Sequence, residues 1–209
     1  MNRSLKIKIT AGILFAGSLH ASRAPTILVR ILNTSSASAE DVRGMKENAD
    51  RVFNHSGIEI EWVSCAAGLR ESAVCPDPED RAEKAVVFAH LVDTPIVPRQ
   101  ERNRSQRTLL GRANHPESSV ALFYSTVCSI EREAPRVATK GQILGYALVH
   151  EIGHLLLESD AHSGAGPMKA DLDLSDLYVI GKGNLLFTTR ESSHLRQSVV
   201  AGAALARTR

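Results

Sequence analysis

The chain has 209 residues, 43% of them hydrophobic and 23% charged, a globular composition with enough apolar material for one domain with its own core. Its formal charge of +2 does not describe a basic protein, because Arg3, Lys6, Lys8 and Arg23 all fall in the first 24 residues, which hold no acid. Without them 21 basic residues face 23 acidic ones, a net of −2, so a nucleic-acid-seeking surface is not expected.

The chain opens like an export signal. Arg3, Lys6 and Lys8 precede an apolar run over residues 9–19 that ends among small residues, which predicts a signal peptide within 1–24, cut between Ser18 and Ala24. Pro25 disfavours a cut directly after Ala24. The run is too short to span a bilayer comfortably, and no cysteine lies near the junction for a lipid anchor; an uncleaved N-terminal anchor is the alternative. The expected product is one domain, 25–207, secreted or periplasmic, monomeric and without a stable membrane span. Its first strand begins almost at the junction, so no pro-segment is expected.

Residues 26–32 are a β-rich run, and 34–38 supply a polar connector with a possible N-cap. From 39 to 55 the residues Val42, Met45, Ala49, Val52 and Phe53 recur at helical spacing, and Gly57 sits where a helix often stops. The period then becomes two: Ile58, Ile60 and Trp62 alternate with Glu59, Glu61 and Val63, as in a strand with one buried face. Gly68, Pro76 and Pro78 predict a surface loop over 66–82. Residues 85–92 and 119–127 read as third and fourth strands. Between them, 95–112 carries Arg99, Arg102, Arg104, Arg107 and Arg112; with Glu101 interrupting and no aromatic residue interleaved, this reads as a solvated loop and not a nucleic-acid patch. Cys65 and Cys75 bracket the first loop and are the expected disulfide in an oxidising compartment, leaving Cys128 free; three reduced thiols are the alternative.

Thr139 followed by Gln142 is a capping-box pattern, and Ile143, Leu144, Ala147, Leu148, Ile152 and Leu155 give the helix after it an apolar side. That helix carries His150-Glu151-Ile152-Gly153-His154. Two imidazoles four residues apart on a helix point the same way and can share one metal ion, and the intervening Glu151 is held where it can accept a proton from an activated water. A hydrolytic zinc site usually has three protein ligands. His162 and Asp160 are both candidates for the third, with neutral imidazole the better zinc donor, and Asp160 could instead orient an imidazole. Thr188 and Glu191 form a second capping box that introduces a final helix over 189–206.

With these residues in place the chain resembles the metzincin clan of zinc endopeptidases, whose motif is HExxHxxGxxH, or a terminal Asp in the snapalysin branch, followed by a methionine beneath the metal. His162-Ser163 is similar to the matrixin histidine-serine pair, and Gly164-Ala165-Gly166-Pro167-Met168 looks like the approach to the Met-turn, with Met168 as its methionine. The chain also resembles small exported bacterial proteins with a HEIGHLLL run. The resemblance implies an α+β metzincin-like zincin: a twisted mixed sheet of four to five strands, a backing helix, an active-site helix and a small C-terminal subdomain ending in a helix. It implies a Zn²⁺ peptidase acting on peptide or protein substrates, with Glu151 as general base, His150, His154 and His162 as ligands, and the fourth strand as substrate edge. Two departures stand out. Leu157 occupies the clan's glycine position, and His162 lies two residues beyond the standard third ligand, where Asp160 stands.

The alternatives are specific. A gluzincin would use Glu191 as third ligand, although the capping box already explains that residue. A degenerate relative would bind zinc or a peptide without hydrolysis, and an envelope adhesion domain would hold the histidines incidentally. Glu158 reads as a solvated charge, and Tyr146 and Tyr178 as possible oxyanion donors, the first more simply as packing.

Overall fold

The computed structural model describes residues 24–67, 73–76, 84–94 and 109–206. The predicted signal segment, and Arg99, Arg102, Arg104 and Arg107, lie outside the described residues. In chain order the elements are β1 (Thr26–Asn33), α1 (Ala39–His55), β2 (Glu59–Ala67), β3 (Ala73–Val74), β4 (Ala85–Val92), β5 (Gly111–Asn114), β6 (Ser119–Phe123), α2 (Tyr124–Glu133), α3 (Lys140–Leu157), α4 (Leu174–Gly181) and α5 (Thr189–Ala206).

The strands form one six-stranded sheet in the order β3-β2-β1-β4-β6-β5. β1, β2, β4 and β6 run parallel, with Ile27 opposite both Ile60 and Ala85, while β3 and β5 are antiparallel additions at the two ends. β1 is central and its side chains are buried on both faces, as expected where a parallel strand is covered on both sides. Ile27, Val29 and Ile31 join the main core with Met45, Phe53, Leu144 and Leu148 from the helices. On the opposite face Arg30 places its guanidinium 5.5 Å above the Phe88 ring.

Four capping boxes start helices where the chain needs them. Ser38 and Asp41 open α1, Thr139 and Gln142 open α3, Asp173 and Asp176 open α4, and Thr188 and Glu191 open α5. Each pair satisfies backbone N–H groups that a helix start leaves without partners. α3 is buried along nearly its whole length, and it approaches α1 through glycines. A Cβ on Gly145 would lie 2.7 Å from Asn48 Cβ and 2.8 Å from the Met45 carbonyl oxygen, and one on Gly141 2.9 Å from Gly44 Cα. This bare face lets the two backbones nearly touch and fixes the depth of α3 under the sheet.

Four expectations are corrected. The run 119–127 is a strand only to Phe123; Tyr124 onward is α2, which buries Tyr124 and Val127 three residues apart. A short apolar run does not distinguish strand from helix by itself. Arg112 is in β5, not in a loop, because Gly111–Asn114 pairs with Ser119–Leu122 although its composition is not strand-like. The loop expected over 66–82 begins inside β2 and returns as β3, which pairs with it at Ala66 and Ala67. Finally, β6 is not the sheet edge; β5 covers it. Cys65 and Cys75 are joined beside the β2–β3 pair with Cα atoms 4.3 Å apart, and Cys128 is free. No helix among the described residues is long and apolar enough to cross a membrane.

The glycine crossing generates a prediction in which two effects compete. Helix propensity alone would make Gly145→Ala stabilising by about 1 kcal/mol, whereas overpacking costs about 1–3 kcal/mol. With the new methyl at 2.7 and 2.8 Å from fixed atoms, the clash should win and thermal melting should drop by several degrees. An unchanged or higher melting temperature would show that α1 and α3 are free to separate.

Candidate metal centre

α3 presents His150 and His154 one turn apart, and the loop after it returns His162 over them. The ligand-capable nitrogens of the three rings lie within 4.8 Å of one another. The His162 ring centroid is 5.3 Å from that of His150 and 4.9 Å from that of His154. Asp160 is outside this set; its carboxylate is 3.5 Å from His115 Nε2 on the β5–β6 turn, with its side chain almost wholly in solvent.

Hydrogen bonding decides what the first two rings offer. His150 Nδ1 is 2.7 Å from the Pro167 carbonyl oxygen, and His154 Nδ1 is 2.7 Å from that of Ser159. A carbonyl only accepts, so each Nδ1 carries the proton and each Nε2 presents a lone pair. Those two Nε2 atoms are 3.0 Å apart. Two lone pairs held face to face in a buried site repel unless a cation lies beside both, so the residues fit a bound metal ion. Burial, with the neighbouring His154 and His162, pushes the His150 pKa down to about 4 against the contrary pull of the Pro167 carbonyl, so the ring is neutral at physiological pH.

Glu151 is buried, 6% exposed, and points to β5. Burial raises its pKa to about 8, against the Ala113 backbone N–H that donates to the carboxylate and the nearby charge of Arg112. β5 comes this close only because Gly111 has no side chain: a Cβ there would lie 2.8 Å from Glu151 Cγ and 2.9 Å from the Ala121 carbonyl oxygen. Gly111 and Ala113 were invisible to sequence reasoning, since GRAN has no local signature of a strand.

Met168 is buried at 1% exposure, with its sulfur against α3 at Gly153, where a Cβ would lie only 2.4 Å from Sδ. Gly153 therefore gives the methionine its seat between the turns that carry His150 and His154. The backbone around Met168 is tied to the His162 loop: Ser163 N–H donates to the Met168 carbonyl at 2.7 Å. Glu191 lies away from the three rings. It closes the α5 capping box with Thr188 and accepts from Ser163 Oγ at 2.7 Å.

The departures from the HExxHxxGxxH spacing have a structural form. Leu157 remains helical, and the left-handed residue that ends α3 is Glu158, at φ 49° and ψ 39°. The two extra residues are thus divided, one lengthening the helix and one lengthening the loop to His162. Tyr146 lines the cleft, but its hydroxyl donates to the Lys169 carbonyl at 3.2 Å, and burial, with Asp176 and Glu151 nearby, raises its pKa. Tyr178 is exposed on α4 and does not line the cleft. The cleft itself has a volume of about 740 Å³, with β5 along one wall and Tyr146, Lys169 and Leu172 along the other.

No family model matches this chain, and no curated protein matches it in sequence. Among solved structures it is similar to archaemetzincin from Methanopyrus kandleri, with a TM-score of 0.52 over 84% of this chain and 97% of that one, at 10% identity. At that identity the likeness is one of fold. The chain has a metzincin-like zincin fold, with a three-histidine group able to hold a metal ion in the cleft.

Glu158 supplies a test of this turn. A non-glycine residue in the left-handed region costs roughly 1–2 kcal/mol, and glycine gives back about 0.4–1 kcal/mol through the unfolded chain. Glu158→Gly should therefore stabilise the protein by about 0.5–1 kcal/mol in denaturant titration. A loss of stability would show that the Glu158 side chain contributes to the turn.

Proposed function

We propose that this protein is an exported zinc-dependent endopeptidase of the metzincin type, in which His150, His154 and His162 hold the ion and Glu151 is the general base. The observation that carries this reading is the pair of Nε2 lone pairs 3.0 Å apart, with a third imidazole beside them and a buried carboxylate on the same helix. Three nitrogen ligands leave a coordination position for chemistry, whereas a structural zinc site is closed by four protein ligands. Zinc in such a set supplies Lewis acidity, which makes a water acidic near neutral pH and withdraws electron density from a carbonyl oxygen.

The chain's own residues do the remainder. The Ala113 N–H holds the Glu151 carboxylate in a fixed direction on the helix that carries the first two rings, where as a carboxylate it would accept a proton from the attacking water. The same carboxyl group then delivers that proton to the leaving amine nitrogen. Among the described residues β5 ends the sheet, and its outer edge would offer main-chain groups to an extended peptide, which would add as a further strand beside the three rings. Met168 and Gly153 support the ligand helix from below. The histidine-serine pair favours a matrixin-like variant, and the N-terminal segment favours export to the periplasm or medium.

The test uses Glu151→Gln, which keeps the side-chain shape and removes the base. The variant should bind zinc stoichiometrically like the wild type, while hydrolysis of a mixed peptide library drops by about 10²–10⁴-fold. Chelation of the wild type should abolish cleavage and added zinc should restore it. A zinc-loaded wild type with no cleavage that depends on Glu151 would instead identify a binding protein that has lost catalysis.

A further inference from the structure

We infer that Glu191, acting through Ser163, is the positioning residue that holds His162 over the other two rings and so couples the C-terminal helix to the metal centre. This rests on the proposed role of His162 as a ligand. The first two rings are each locked by a carbonyl at Nδ1. His162 has no such lock: it is exposed, sits in a loop, and its ring makes only ring contacts with His150 and His154 among the described residues. Its position is set by its neighbour. Ser163 is bound twice, by its N–H to the Met168 carbonyl and by its hydroxyl to Glu191 Oε1, both at 2.7 Å.

Glu191 is suited to this because it is itself immobile. Its other oxygen, Oε2, receives the Thr188 N–H and the Thr188 hydroxyl, each at 2.8 Å. The capping box needs only Oε2, and Oε1 is directed at Ser163. Behind Glu191, α5 is fixed to the core: Ser192 Oγ is 3.0 Å from Ser56 Oγ, and Arg196 donates to the Ser56 carbonyl at 2.7 Å. The line of contact runs from the core through α5, Glu191 and Ser163 to the third ring. A purely structural role, capping α5, predicts that Glu191 affects stability and nothing else.

Two variants separate the roles. Thr188→Ala removes a cap donor but leaves the Thr188 N–H on Glu191, whereas Ser163→Ala removes the link and leaves the cap. Zinc affinity is measured by chelator competition on the full chain, with melting of each metal-free variant recorded alongside. Ser163→Ala should bind zinc about 10–100-fold more weakly, the range for groups that orient ligands. Ser163→Thr, which keeps the hydroxyl, should restore binding. Thr188→Ala should melt lower yet bind like the wild type. Glu191→Ala should lose affinity by the same factor as Ser163→Ala, and the double variant should lose no more than either; if Glu191→Ala does not fold, Ser163→Ala and its Ser163→Thr rescue, which leave the cap intact, carry the test. Wild-type affinity in both Ser163→Ala and Glu191→Ala overturns the inference, as does an equal loss in Thr188→Ala. If His162→Ala binds zinc like the wild type, the ligand reading itself fails, and this inference fails with it.

Discussion

Two imidazole Nε2 atoms held 3.0 Å apart on one buried helix are an arrangement that the fold creates and that a shared cation satisfies. The backbone carbonyls of Pro167 and Ser159 commit both Nδ1 protons, so neither ring can turn a donor toward the other without giving up a bond of its own. Burial holds His150 in its neutral form, so its Nε2 stays available as a donor of electrons to a metal ion. The cost of this arrangement is met by packing elsewhere. α3 is capped at Thr139, buried along its length and seated against α1 at Gly141 and Gly145, and such a helix does not shift to separate its histidines.

The same logic of close approach recurs around the centre. Gly153 admits the Met168 sulfur to the helix surface, and Gly111 admits β5 to Glu151. In both places a missing side chain on one element lets a functional group on another come within contact. β5 thus has two structural roles: it anchors the carboxylate through Ala113 and forms the cleft wall at the end of the sheet. The Glu151 carboxylate on α3 and the strand at the end of the sheet are held together through the Ala113 N–H and the bare Gly111.

Much of the framework was legible in the chain. The period-3.6 run of 39–55, the period-2 run of β2, and the boxes at Thr139 and Thr188 are local signals that local physics sets. What escaped was decided at long range. β5 is a strand because β6 offers it a partner, and Tyr124–Val127 is helical because Val127 packs into the core. α4 was also missed, although Asp173 and Asp176 carry a capping box that could have announced it. Spacing left Asp160 and His162 both open as third ligand. The structure places His162 with the rings and Asp160 beside His115, because α3 runs one residue further and the turn falls at Glu158. Counting from the motif assumes the turn position, and the chain moved it.

The most direct measurement is X-ray absorption at the zinc edge on the zinc-loaded protein, for the wild type and for His162→Ala and Asp160→Ala. The account predicts three imidazole nitrogens at about 2.0–2.1 Å, two after His162→Ala, and an unchanged spectrum after Asp160→Ala. A carboxylate oxygen in the wild-type shell that disappears with Asp160, or a wild type that takes up no zinc, would contradict it.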